Sequence, residues 1–279
     1  MSILEAVILG ILQGLTEFLP ISSSGHLQIV TWLAGWEPFA GDPGLWTAFE
    51  VALHAGTLVG VLAYFGSDVV RLVVAGARQV VRRRSPEGRR AWLLVLATVP
   101  AAVVGVTAGA ALERNERVWV TACTLVVFGI LLWWADRCGG ERPMEEVSGR
   151  HAVVLGVAQA MALVPGVSRS GVIITAGRLL GLSRLAAVRL AMLMSVPIIA
   201  GAAVYKLIDV GGWSGVPADA RAAFIWGTVA AALAGWAAVG LLLALVRRLD
   251  FGPFAWYRAA LGVSVLALVA TSFRDTGWV

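Results

Sequence analysis

The stretch AVILGILQGLTEFLPISSSGHL, residues 6–27, returns as AVVLGVAQAMALVPGVSRSGVI, residues 152–173. Shifted by 146 positions, the two align without a gap and share eight of 22 residues. The shared residues include Gln13 with Gln159, Ser22 with Ser168, Ser24 with Ser170, and Gly25 with Gly171. Each copy is an apolar helical run, a Pro or Gly break, and a serine-rich turn that opens a second apolar run. Apolar, glycine-rich helices resemble one another by composition alone, but the ungapped return of Ser-x-Ser-Gly is a stricter match. The regions 3–35 and 151–181 therefore read as pairs of short helices.

Outward from these copies the chain is oily. Hydrophobic residues make up 59% of the 279, charged residues 14%, and the mean hydropathy is +0.83. Those values exclude an ordinary soluble domain and point to a polytopic integral membrane protein. Segments 45–65, 92–112, 118–135, 185–208, 222–246 and 254–273 are each long enough to span a bilayer. Twelve Trp, many near the ends of these runs, fit interfacial anchoring. The net charge of +5 is mostly arginine in a few loops, which reads as membrane topology and not as nucleic-acid binding. Cys123 and Cys138 are isolated and make neither a zinc site nor an expected disulfide.

Residues 67–90 hold seven Arg and alternate apolar with basic positions, which predicts a surface-lying amphipathic helix and a turn at Ser85–Pro86. By the positive-inside rule this loop is cytoplasmic, as is 136–150 after two further crossings. Arg178, Arg184, Arg247, Arg248 and Arg258 then fall on the same side. Region 3–35 must enter from outside and return there, while 151–181 enters from inside. The expected architecture is all-α: one integral membrane domain, 1–279, made of two inverted-topology repeats, about 1–135 and about 150–279. Each repeat carries a broken re-entrant helix pair, an arrangement that places binding sites near the midplane at the repeat interface.

The chemistry follows from the breaks. A helix that opens after a break presents unpaired amides and a positive dipole end, a ready anion site. Ser22, Ser24, Ser168 and Ser170 add hydroxyls, and Gly25 and Gly171 allow close backbone approach. Capping by Ser22 and Ser168 accounts for one serine per copy, and for neither His26 nor Arg169. An arginine at membrane depth is a functional candidate, and its fork of donors suits phosphate oxygens. The competing reading pairs Arg169 with Glu17, and the two can coexist before substrate enters. Glu17, one turn after Gln13, can act as a general base or a metal ligand. His26 can carry a proton or attack phosphorus. Glu50 and His54, one turn apart in FEVALHAGTL, either line the same cavity or satisfy each other.

QGLTEFLPISSSGHL and PGVSRSG resemble the two signature motifs of the undecaprenyl-diphosphate phosphatase family of the bacitracin-resistance type. The resemblance runs the whole chain. It implies an enzyme of the bacterial cytoplasmic (inner) membrane, multi-pass, with its active site facing outward. That enzyme removes the terminal phosphate of undecaprenyl diphosphate, recycling the lipid carrier for peptidoglycan synthesis and conferring bacitracin resistance. Carried over by motif, Glu17 matches the family's essential acid, Ser23 and Ser24 its serines, His26 its histidine, and Ser168–Arg169 its second-motif pair. Gln13 stands where many members have a further acid, so Mg²⁺ or Ca²⁺ on Glu17 transfers only weakly. The expected partners are the lipid substrate, the bilayer and a second copy of the chain in a homodimer, with no nucleic acid. The alternative function is a polyprenyl-phosphate transporter or flippase built on the same inverted repeats.

Overall fold

Both ends of the first helix have local causes. The first helix begins at a capping box in which the Ser2 hydroxyl accepts from the Glu5 amide and the Glu5 carboxylate accepts from the Ser2 amide at 2.6 Å. It ends before Pro20, with Leu19 at φ −64°, ψ 141°, the extended conformation that a following proline enforces. The computed structural model describes residues 1–81, 84–113 (backbone alone from 110), 117–209, 211–271 and 273.

Among the described residues the chain is all-helical, with no strand. Its helices are α1 (Ile3–Phe18), α2 (Ser23–Ala34), α3 (Pro43–Val80), α4 (Pro86–Glu113), α5 (Val118–Cys138), α6 (Gly149–Met161), α7 (Arg169–Leu179), α8 (Arg184–Asp209), α9 (Arg221–Val246) and α10 (Gly252–Ala270). The two interrupted regions are pairs of short helices, α1–α2 and α6–α7, as the sequence predicts. Six helices, α3, α4, α5, α8, α9 and α10, are long and apolar enough to cross a membrane.

One expectation needs correction. Residues 67–80 form no separate surface helix: α3 runs unbroken for 38 residues, about 57 Å at 1.5 Å per residue. No proline falls between Pro43 and Pro86. The one glycine at the expected joint, Gly66, costs only about 1 kcal/mol in a helix, too little to break it. The turn before Pro86 stands, and α4 opens on that proline. Residues 82 and 83, part of the basic run, lie outside the described residues.

Packing follows the logic of lipid as solvent, where small residues let helices approach and large apolar ones face out. On α9 the buried positions include Gly227, Ala231, Gly235 and Ala238, while Leu233 and Trp236 are 66% and 52% exposed. α1 packs on α9, and α6 packs on α4. Gly10 and Gly156 stand one 146-residue shift apart. Each brings its helix against a carbonyl of its partner, that of Gly227 for Gly10 and of Ala97 for Gly156. α3 also packs on α8 and α9, and α5 on α10. Where α8 begins, the buried Asp136 of α5 accepts from Arg178 of α7 at 3.0 Å, from Arg184 at 2.8 Å and from the Phe251 amide at 3.0 Å. That cluster ties α5, α7, α8 and α10 together at one end.

Candidate active site

The two serine turns share an unusual backbone. Ser22 and Ser168 both have positive φ, 77° and 72°, in a region that residues with a Cβ rarely enter. The Ser22 Oγ accepts from the Gly25 amide at 3.3 Å, and the Ser168 Oγ from the Gly171 amide at 3.1 Å. The hydroxyls of Ser22 and Ser24 lie 3.4 Å apart, those of Ser168 and Ser170 3.3 Å. Strain at such positions costs of order 1–3 kcal/mol each and persists where the surroundings over-determine it. Here both turns point the first residue of the next helix, Ser23 or Arg169, at one carboxylate.

That carboxylate is Glu17, buried on the last turn of α1. Its Oε1 accepts from Arg169 Nη2 at 2.5 Å. Its Oε2 accepts from Gln13 Nε2 at 2.8 Å and from the Ser23 hydroxyl. His54 of α3 brings Nε2 to 3.3 Å from Oε2, while its Nδ1 lies 2.8 Å from the Glu50 carbonyl. The tips also touch directly, since the Ser170 hydroxyl donates to the Leu19 carbonyl at 3.0 Å. Glu17, Ser22, Ser23, Ser24, Ser168 and Arg169 line a cavity of about 330 Å³, together with Glu50 and His54.

Other sequence candidates lie elsewhere. Gln13, Gly25, Ser170 and Gly171 are buried behind the lining and support it. His26 is off the cavity wall. Its Nδ1 faces the Ser22 carbonyl at 2.6 Å, its Nε2 the Tyr257 hydroxyl at 2.8 Å, and its ring stacks on Tyr257. The histidine that meets Glu17 is His54. Glu50 and His54 both line the cavity, and the ion pair considered for Arg169 is present. Sequence reasoning passed over Gln159, which lines the cavity with its buried Oε1 unpaired. Its match to Gln13 in the repeat was the available signal.

The Glu17 environment does not fit a divalent ion held directly by the protein. Both carboxylate oxygens are engaged, one of them by a cation, and Gln13 turns its donor toward Glu17. Among the described residues no three of His, Cys, Asp and Glu gather as a ligand set.

A family model described as bacitracin resistance protein BacA matches residues 6–264. The chain belongs to the BacA family. Similar curated relatives agree with that membership. A Pelotomaculum thermopropionicum protein named undecaprenyl-diphosphatase is 44% identical over 275 residues, covering 97% of this chain and 98% of the relative. Proteins of the same name from Moorella thermoacetica and Geobacter sulfurreducens are each 43% identical over 96% of this chain and 98% of their own lengths. Family membership and the six apolar helices make the chain a multi-pass membrane protein.

Proposed function

We infer that this chain is an undecaprenyl-diphosphatase, hydrolysing undecaprenyl diphosphate to undecaprenyl phosphate and phosphate in lipid-carrier recycling and bacitracin resistance. The observation that carries the chemistry is the hydrogen bond from the Ser23 hydroxyl to Glu17, formed opposite Arg169. A nucleophile bonded to a base that a third group orients is the arrangement of an activated serine. In this reading the Ser23 oxygen attacks the terminal phosphorus as its proton passes to Glu17. As the bond from phosphorus to the bridging oxygen breaks, Glu17 passes that proton to the departing undecaprenyl phosphate and is a carboxylate again. Water then attacks the phosphoserine, giving its proton to Glu17, which hands it to the Ser23 oxygen as that oxygen departs. Arg169 leaves Glu17 for the phosphate and neutralises charge that builds on it. The first turns of α2 and α7 offer amides to the diphosphate. Transport alone would need the anion clamp but not the bonded serine and carboxylate, which favours hydrolysis over the flippase alternative.

The same reading takes residues 1–135 and 150–279 as inverted repeats of one domain, with α1–α2 and α6–α7 as re-entrant pairs. The reciprocal packing of α1 on α9 and α6 on α4 supports it. With the arginine-rich 67–90 loop inside, the cavity opens outward from the bacterial inner membrane. A homodimer is the proposed assembly. Purified protein should release phosphate from undecaprenyl diphosphate and far more slowly from ATP, and equal turnover of both, or none, rejects the assignment. An impermeant thiol reagent should label Glu37→Cys but not Arg89→Cys in intact cells. The opposite pattern reverses the orientation.

A further inference from the structure

Arg258 is the largest wholly buried side chain among the described residues, and none of the chemistry above uses it. An arginine at membrane depth is costly unless its donors are matched. Here the partners are carbonyls. Nη1 donates to Pro20 O at 3.2 Å, and Nη2 donates to Gly166 O at 2.9 Å and to Val167 O at 3.0 Å. Pro20 lies in the break between α1 and α2, and Gly166 and Val167 lie in the break between α6 and α7. In an apolar medium, carbonyls freed by a helix break need donors from elsewhere in the protein. Pro20 and Gly166 are also one 146-residue shift apart, so a single guanidinium holds the same carbonyl in both copies.

Glycines make room for this side chain. A Cβ added at Gly171 would lie 2.8 Å from Arg258 Nη1, and one added at Gly129 of α5 would lie 3.2 Å from Arg258 Cβ. Three residues beyond each anchored carbonyl stands the working side chain: Ser23 after Pro20, and Arg169 after Gly166. We propose that Arg258 is a positioning residue whose guanidinium, by holding both helix breaks, sets the gap between Ser23 and Arg169 in which the terminal phosphate reacts. The proposal rests on the phosphatase reading. A planar fork can hold two separated carbonyls where an ammonium makes a point contact, so lysine is the informative replacement.

The test is steady-state hydrolysis of undecaprenyl diphosphate by full-length wild type, Arg258→Lys, Arg169→Lys and the double variant, each monodisperse in detergent. Wild-type turnover checks the phosphatase reading by itself, and the proposal depends on the ratios between variants. Arg258→Lys should lower kcat by about 10²-fold with KM little changed, the size expected for misplacement near 1 Å. The double variant should lose less than the product of the single losses, because both changes act on one alignment. Gly129→Ala, on a helix that does not line the cavity, should show a smaller fall in kcat, also without a KM effect. It decides the matter if Arg258→Lys does not fold. Near-normal kcat in the variants, a loss confined to KM, or losses that multiply would each overturn the proposal.

Discussion

The turn at Leu19–Gly25 and the turn at Pro165–Gly171 have one backbone and different cargo. In both, a serine at positive φ caps the following helix through a glycine amide three residues on. The residue after the cap differs: Ser23 in the first copy, Arg169 in the second. Glu17, too, has only Leu163 as its counterpart. The strained cap therefore belongs to the scaffold, and the chemistry is divided between copies by three side chains. A duplicated element can keep its geometry while one copy supplies an acid and a nucleophile and the other supplies the cation that faces them.

Replacing the nucleophile should break this division most completely. Ser23→Ala should lower kcat for undecaprenyl diphosphate by at least about 10³-fold, as losing one member of a concerted catalytic group does. His26→Gln, which alters a group off the cavity wall, should cost less than about tenfold, since no contact with phosphate is lost. Equal losses for the two would return His26 to the reaction.

Arg169→Lys tests the second copy's contribution. Charge remains but the fork is lost, and the cost should be about 2–4 kcal/mol in the transition state, roughly 10²–10³ in turnover. Near-normal kcat with an intact fold would leave Arg169 as a structural partner of Glu17 only.

Gln13→Glu should have a milder effect. It sets a second carboxylate in place of an amide that lies 2.8 Å from Glu17. Two like charges at that distance call for a proton or a cation between them. Activity with Mg²⁺ should hold, and a chelator should lower it about tenfold in the variant, the fall in rate that goes with about 1.4 kcal/mol of barrier. The same chelator response in wild type and variant would show that Gln13 is not what decides metal dependence.

The smallest effect concerns the caps themselves. Ser168→Ala removes the cap and keeps a Cβ at positive φ, and should cost about 1 kcal/mol in stability. Ser168→Gly loses the same hydrogen bond but suits the backbone, so the loss should be a few tenths. Ser22 should behave alike, read by thermal unfolding in detergent. Alanine and glycine of equal effect would mean the positive φ carries no strain.

Much of this was legible in the sequence because it is local. The ungapped match of 6–27 with 152–173 located both breaks and both caps, and hydropathy located all six long helices. What was not legible is contact between distant segments. His26 and His54 both stand in apolar runs, and neither run reveals which ring meets Glu17; helix packing decides that. Arg258, in FAWYRAAL, reads as one more arginine near the basic side of a membrane protein. Its burial depends on three carbonyls that lie 91 to 238 residues away in sequence. The continuity of α3 was missed for an energetic reason, since a pattern of basic residues suggested a joint where no residue was costly enough to make one.

The pairing of α1 with α9 bears on how the chain is made. Gly10 leaves the ribosome among the first residues, and the carbonyl it packs against, that of Gly227, follows more than two hundred residues later. Synthesis at about 5–20 residues per second puts tens of seconds between them at the slower rate. During that interval the glycine face of α1 meets lipid or a temporary neighbour. Gly156, by contrast, finds the Ala97 carbonyl already synthesised. Helix α6 can dock on α4 as it emerges, while α1 must wait for α9, and both serine turns await Arg258, which is made later still.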